Sequence, residues 1–200
     1  MTIHTWPTLS RSGPAALEWA LVSNTQTFSS PLSGSVQTLE LPGARWQFSF
    51  PMSNLHQDDA ALLRAWLVKL RGQSGRFYMH NMAHPIPRGV AGGSPVVSGA
   101  GQTGTSLTTT GWTLGATVLK AGDFFEVNGE LKMVVADAAS NGAGAATLTF
   151  EPPLRASPAN AAVITTNKPK GIFKLDEDTV RWSTAPALIS SFAISATEAW

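Results

Sequence analysis

The 200-residue chain contains no cysteine. That excludes disulfides, thiolate metal sites and cysteine nucleophiles, and it fits a protein that folds in a reducing cytosol. Charge is also scarce: Asp, Glu, Lys and Arg make up 14% of the residues, against about a quarter in an ordinary soluble domain. Fourteen basic residues against thirteen acidic ones leave a net charge of +1, and no basic run occurs. Nothing here points to nucleic acid or an anionic membrane as partner. A surface so poor in charge fits a protein that covers much of itself with other subunits. No segment reaches the roughly 18 apolar residues of a membrane span. Met1 to Trp6 lacks the basic region and apolar stretch of a signal peptide. The expectation is folding in the cytosol without membrane insertion. Internal repeats, coiled-coil heptads and a low-complexity tail are missing as well.

A chain of this length suits one domain or two small ones and can bury a core without staples. It reads in three parts. In residues 1–87, Leu17 to Val22 is a short apolar run with strand character. Ser35 to Leu41 alternates polar and apolar, and Arg45 to Phe50 alternates cleanly, with Trp46, Phe48 and Phe50 on one face. Pro42-Gly43 between them is a turn signal, so the pair reads as a β-hairpin with one buried face. Residues 58–71 then place Leu62, Leu63, Trp66, Leu67 and Leu70 on one stripe of a helix. Asp58 and Asp59 suit its N-terminal end and Lys69 and Arg71 its C-terminal end. Gly72 stands where a left-handed cap is expected. Gly75 to Met79 restarts a strand.

Residues 88–168 change character. Seven glycines crowd positions 89–111. Strand-like runs follow at 106–110, 124–127, 131–135 and 146–150. Asn128-Gly129 and Asn141-Gly142 separate some of them, and Asn-Gly between apolar runs is a strong hairpin signal. This part reads as a small all-β barrel or sandwich, flanked by Pro85 and Pro87 on one side and by Pro152, Pro153, Pro158 and Pro169 on the other. In residues 169–200, strands are expected at 172–175, 179–183 and 188–195, with a turn at Asp176-Glu177-Asp178. These strands are expected to return to the sheet of the first part, making residues 88–168 an insertion.

No complete catalytic or metal-binding pattern is visible. His80 and His84 have helical metal-ligand spacing, but Pro85 and Pro87 place them in a strand and turn, and no carboxylate adjoins them. His56-Gln57-Asp58-Asp59 reads as an acidic helix start rather than an acid–base site. Residues 99–106 have the glycines of a phosphate loop without its lysine. Glu126 with Glu130, and Asp176 with Asp178, are paired acids of the type a glycosidase uses, but both pairs fall at turns, where exposed acids are ordinary. A Gly-x-Ser-x-Gly elbow and a His-Glu-x-x-His helix are absent. Of seven tryptophans, Trp19, Trp46, Trp66 and Trp182 sit in periodic apolar runs and are expected in the core. Trp6 and Trp200, if exposed, are candidates for contact with a neighbour. The chain is therefore expected to be no enzyme and to need no cofactor or metal.

Several stretches carry a family likeness. Ser23 to Gly34, Leu41 to Trp46 and Leu70 to Phe77 resemble the opening of distal tail proteins from long-tailed bacteriophages. Leu119 to Phe125 and Phe150 to Arg155 are similar to the inserted β-module of the same proteins. The resemblance covers most of the chain. It implies a mainly β fold: a tail-tube-like β-sandwich belt domain with one flanking helix (residues 1–87 and 169–200), interrupted by a small β-module (88–168). It also implies a hexameric ring in the virion, at the tail tip, joining the tail tube protein to the baseplate hub protein and to fibre or receptor-binding parts. It supplies no catalytic residue and no identified interface residue. Another tube-like tail component, and a carbohydrate-binding module in host attachment, are the alternative readings.

Overall fold

In the computed structural model, which describes residues 2–10 and 13–199, the chain is mainly β with one α-helix and several sheets, one of them nearly closed into a barrel. Its strands are β1 (Ile3–Thr5), β2 (Glu18–Ser29), β3 (Val36–Leu55), β4 (Arg76–His80), β5 (Gly93–Val97), β6 (Gly104–Trp112), β7 (Thr117–Leu119), β8 (Phe124–Val127), β9 (Glu130–Val134), β10 (Ala138–Ala139), β11 (Ala146–Leu154), β12 (Ile164–Thr165), β13 (Lys170–Leu175), β14 (Trp182–Ala185) and β15 (Ile189–Glu198). The helix α1 spans Gln57–Leu70.

One seven-stranded sheet has the order β1-β4-β13-β15-β3-β2, with β14 pairing alongside β15. Residues near both ends of the chain therefore share it. Its inner face is aromatic because the register aligns the right residues: Trp19 opposite Phe48, Phe48 opposite Ala196, and Phe173 opposite Phe77. Phe48 lies 4.9 Å from Phe173 and Phe77 lies 5.0 Å from Trp66, both edge-on, an arrangement aromatic quadrupoles favour. Leu63, Trp66, Leu67 and Leu70 of α1 are buried in the same cluster. Leu62 is not: it is 53% exposed, on the outer side of the helix stripe.

Two expected turns are different in the structure. Residues 36–55 form one continuous strand, and its hairpin partner is β2, with register from Glu18 opposite Ser49 to Ser29 opposite Val36. The chain reverses at Ser30–Ser35, where the Ser30 N–H donates to the Ser35 carbonyl and the Gly34 N–H to the Ser30 carbonyl. Pro42-Gly43 is a bulge inside β3. Val22 pairs Arg45 and Asn24 pairs Leu41, so Ser23 alone faces three residues. Gly43 takes the strain at φ 114°, and the Asn24 side chain donates to the Pro42 carbonyl at 2.8 Å. A bulge consumes the same residue types as a turn, which is why the two read alike in sequence. At the end of α1, Arg71 and not Gly72 is the left-handed cap, at φ 54°. Gly72 follows in the same region, and a Cβ there would lie 2.5 Å from Asp178 Oδ1, so close approach is a second demand for glycine.

The second sheet runs β12-β8-β9-β11-β6-β5, all antiparallel. A bridge between Val96 and Val163, with the Val97 N–H donating to Ala162 and the Ala161 N–H to Val97, joins its two ends into a small barrel. Asn128 and Gly129, both at positive φ, make the two-residue turn between β8 and β9. Leu107, Val118, Phe125, Val134, Leu148 and Phe150 fill the interior. The pairing of β7 with β10 adds a short ladder outside it.

Candidate functional site

Beyond the bulge, β2 and the start of β3 leave the body of the protein as a two-stranded arm. Every residue from Ser23 to Ser29 and from Val36 to Glu40 is exposed. Register places Asn24 with Leu41, Gln26 with Leu39 and Phe28 with Gln37 on one side, and threonines, Val36 and Glu40 on the other. One side thus carries Phe28 and Leu39, both 53% exposed, and the tip carries Leu32, 98% exposed. Glu40 is the only charged residue between 23 and 41. A two-stranded ribbon with a bare apolar side is marginal in water by itself. Among the described residues the outer edge of β2 has no strand partner, a template for pairing with another chain.

Across the sheet lies a slot. β13 pairs β15 only at Ala196–Glu198 and β14 pairs it only at Ile189–Phe192. Where the two diverge, a cavity of about 720 Å³ opens, walled by Leu67, Leu175, Val180, Trp182, Phe192 and Ile194. All four residues of β14 are exposed. Trp182, expected in the core, is 43% exposed with the Arg64 guanidinium 4.9 Å from its ring centre.

The candidate catalytic acids are placed in fastening roles. Glu130, expected at an exposed turn, is buried: its carboxylate accepts the backbone N–H groups of Arg155 and Ala156 and pairs with Lys132 at 2.7 Å. Burial pushes the Lys132 ammonium below its ordinary pKa, and Glu130 acts against that shift. Arg155 forks onto Glu198, 3.0 Å to Oε1 and 2.5 Å to Oε2, and Glu198 also accepts the Trp46 N–H. Trp46 Nε1 donates to the Leu131 carbonyl. This network ties the barrel to the sheet. Asp176 accepts from Thr197 and Asp178 from the Gln73 N–H. Asp59 is buried and holds Ser10 through both its N–H and its hydroxyl, while His56 caps α1 without a side-chain bond.

Glu126 does reach a cleft. With Tyr78, His80, Asn167, Lys168 and Lys170 it lines a concavity of about 730 Å³ under residues 5–9. The Lys170 N–H donates to its carboxylate, yet burial raises the carboxyl above its ordinary value. Burial, then the nearby Lys168, lowers the His80 pKa. Lys170 Nζ lies 4.4 Å from the Tyr78 ring centre. Sequence spacing gave no hint of this grouping. His84 is exposed in the following turn, and no cluster of three or more His, Cys, Asp or Glu able to hold a metal occurs among the described residues. Of residues 99–106, only 99–103 form a loop, the rest already belonging to β6; the loop is fastened by the Gln102 amide, which donates to the Ser98, Gly99 and Thr108 carbonyls and accepts the Thr108 N–H.

Trp6 is half-buried against Trp66 and Phe50, so it is part of the core edge and not a free contact. Trp200 lies outside the described residues. No family model and no curated protein matches the chain.

Proposed function

We propose that this chain is a structural protein of a long-tailed phage tail tip, a distal tail protein that works by closing into a ring with copies of itself. The observation that carries the reading is the amphipathic arm, a feature that only a neighbour can cover. The low charge of the chain and the exposed edge strands β2 and β14 support the same reading, because unpaired edges are hazards in a monomer and joints in an oligomer. The paired acids support it too: Glu130, Asp176 and Asp178 spend their carboxylates on internal hydrogen bonds. In this reading the belt sheet forms the ring and the barrel, fixed to it by the Arg155–Glu198 pair, is a rigid docking surface for the tube, hub or fibre proteins.

Native mass spectrometry with negative-stain imaging of the purified chain tests this. Hexameric rings are expected. A clean monomer up to high micromolar concentration, combined with glycan binding on an array, would instead favour an attachment module.

A further inference from the structure

We infer that the arm of one copy seats its Phe28 side in the β13–β14 slot of the next copy, so that the two unpartnered apolar features of the chain cover each other. This rests on the ring-forming reading and names its contact.

Three observations converge. The arm and the slot are different patches of one sheet: the arm prolongs β2 and β3 beyond the bulge, whereas the slot opens along β15 between β13 and β14, with Ser49, Phe50 and Pro51 of β3 also in its wall. A contact between them is head-to-tail, and such contacts repeat until rotation closes a ring. The dimensions agree. Ser23 to Ser29 extends roughly 24 Å at about 3.4 Å per residue, enough to leave its own body and reach into a neighbour. The cavity of about 720 Å³ admits several side chains, and the arm offers Phe28, Leu39 and the tip Leu32. Charge agrees as well. The arm's single charge is Glu40, and the slot presents one acid, Glu177, and one exposed base, Arg181, so seating an almost uncharged ribbon buries few ions. The exposed β14 adds free backbone groups beside the slot for the arm's edge to pair with.

The chain lacks cysteine, so engineered thiols report contacts without background. Gln26→Cys lies on the Phe28 side of the arm and Thr179→Cys on the slot's rim, and both leave the apolar side chains in place. The two single variants, mixed and mildly oxidised, are expected to give a mixed disulfide dimer, and the double variant a covalent ladder ending at the ring. Phe28→Asp is expected to raise the concentration needed for assembly at least tenfold, and Thr25→Asp, on the other side of the arm, to leave it unchanged. Rings that form without the mixed crosslink overturn the arm-in-slot contact and leave the ring-forming reading standing. A wild-type chain that stays monomeric at every concentration overturns both.

Discussion

Glu198 shows how one side chain can hold two units together. It is 2% exposed, yet it satisfies the Arg155 guanidinium and the Trp46 N–H at once. Removing one partner of a buried pair strands the other, at about 3 kcal/mol or more. Glu198→Ala should therefore lower unfolding free energy by about that amount in urea titration, while Glu177→Ala, at an exposed position, should be neutral. Asp123 carries a pH signature. Burial alone would raise its carboxyl, but the N–H groups of Lys120, Arg88 and Gly89 and the Arg88 side chain hold it below its ordinary value. With the folded pKa depressed, its contribution is complete above the ordinary carboxylate range and is lost as pH falls through the lower folded value. Asp123→Asn should remove that part of the acid destabilisation, seen as a shallower fall in melting temperature between neutral and strongly acidic pH. Glu126 runs the other way: its raised carboxyl costs stability at neutral pH, so Glu126→Gln should stabilise there, with the difference vanishing in acid. None of these roles was legible in the sequence, because each depends on at least one group 34 or more residues away in the chain.

At the scale of elements, local pattern was a good guide where it was complete. The helix at 58–71 is found at Gln57–Leu70, and Asn128-Gly129 turns as its residue types demand. Pro42-Gly43 misled because a turn and a bulge both need a positive φ, and only the distant partner strand distinguishes them. The expected strand at 179–183 begins later, at Trp182, where β15 supplies its pairing. The arm is a separable element. Asn24 pairs Leu41, so replacing residues 25–40 by Asn-Gly should close a two-residue hairpin. All the residues removed from its strands are exposed. The shortened chain is expected to keep its stability within about 1 kcal/mol by thermal melting, and to lose self-association in native mass measurements. A large loss of stability would show that the arm belongs to the folded core.

For the whole molecule, the sheet and the barrel have separate apolar cores joined by a shared boundary. Phe124 and Leu131 leave the barrel to pack in the sheet's aromatic cluster, with Phe124 5.5 Å from Trp46. That contact and the Arg155–Glu198 pair couple their unfolding. Calorimetry should record a single transition with equal calorimetric and van't Hoff enthalpies, and Glu198→Ala should separate it into two.

The sequence by itself determined the elements whose signal is local: the mainly β composition, the helix, the Asn-Gly turn and the aromatic alternation at Trp46, Phe48 and Phe50. Periodicity within a dozen residues is sufficient for these, since burial of one face follows directly from spacing. Only the tertiary structure decided which strands pair, and with that which residues stay bare. Leu39 alternates with polar residues much as Phe48 does, yet Phe48 is packed against Trp19, Phe77 and Phe173, while Leu39 stands in the arm 53% exposed. Burial at a given position depends on partners distant in the chain, so the exposed arm and the slot emerge only once the sheet is assembled.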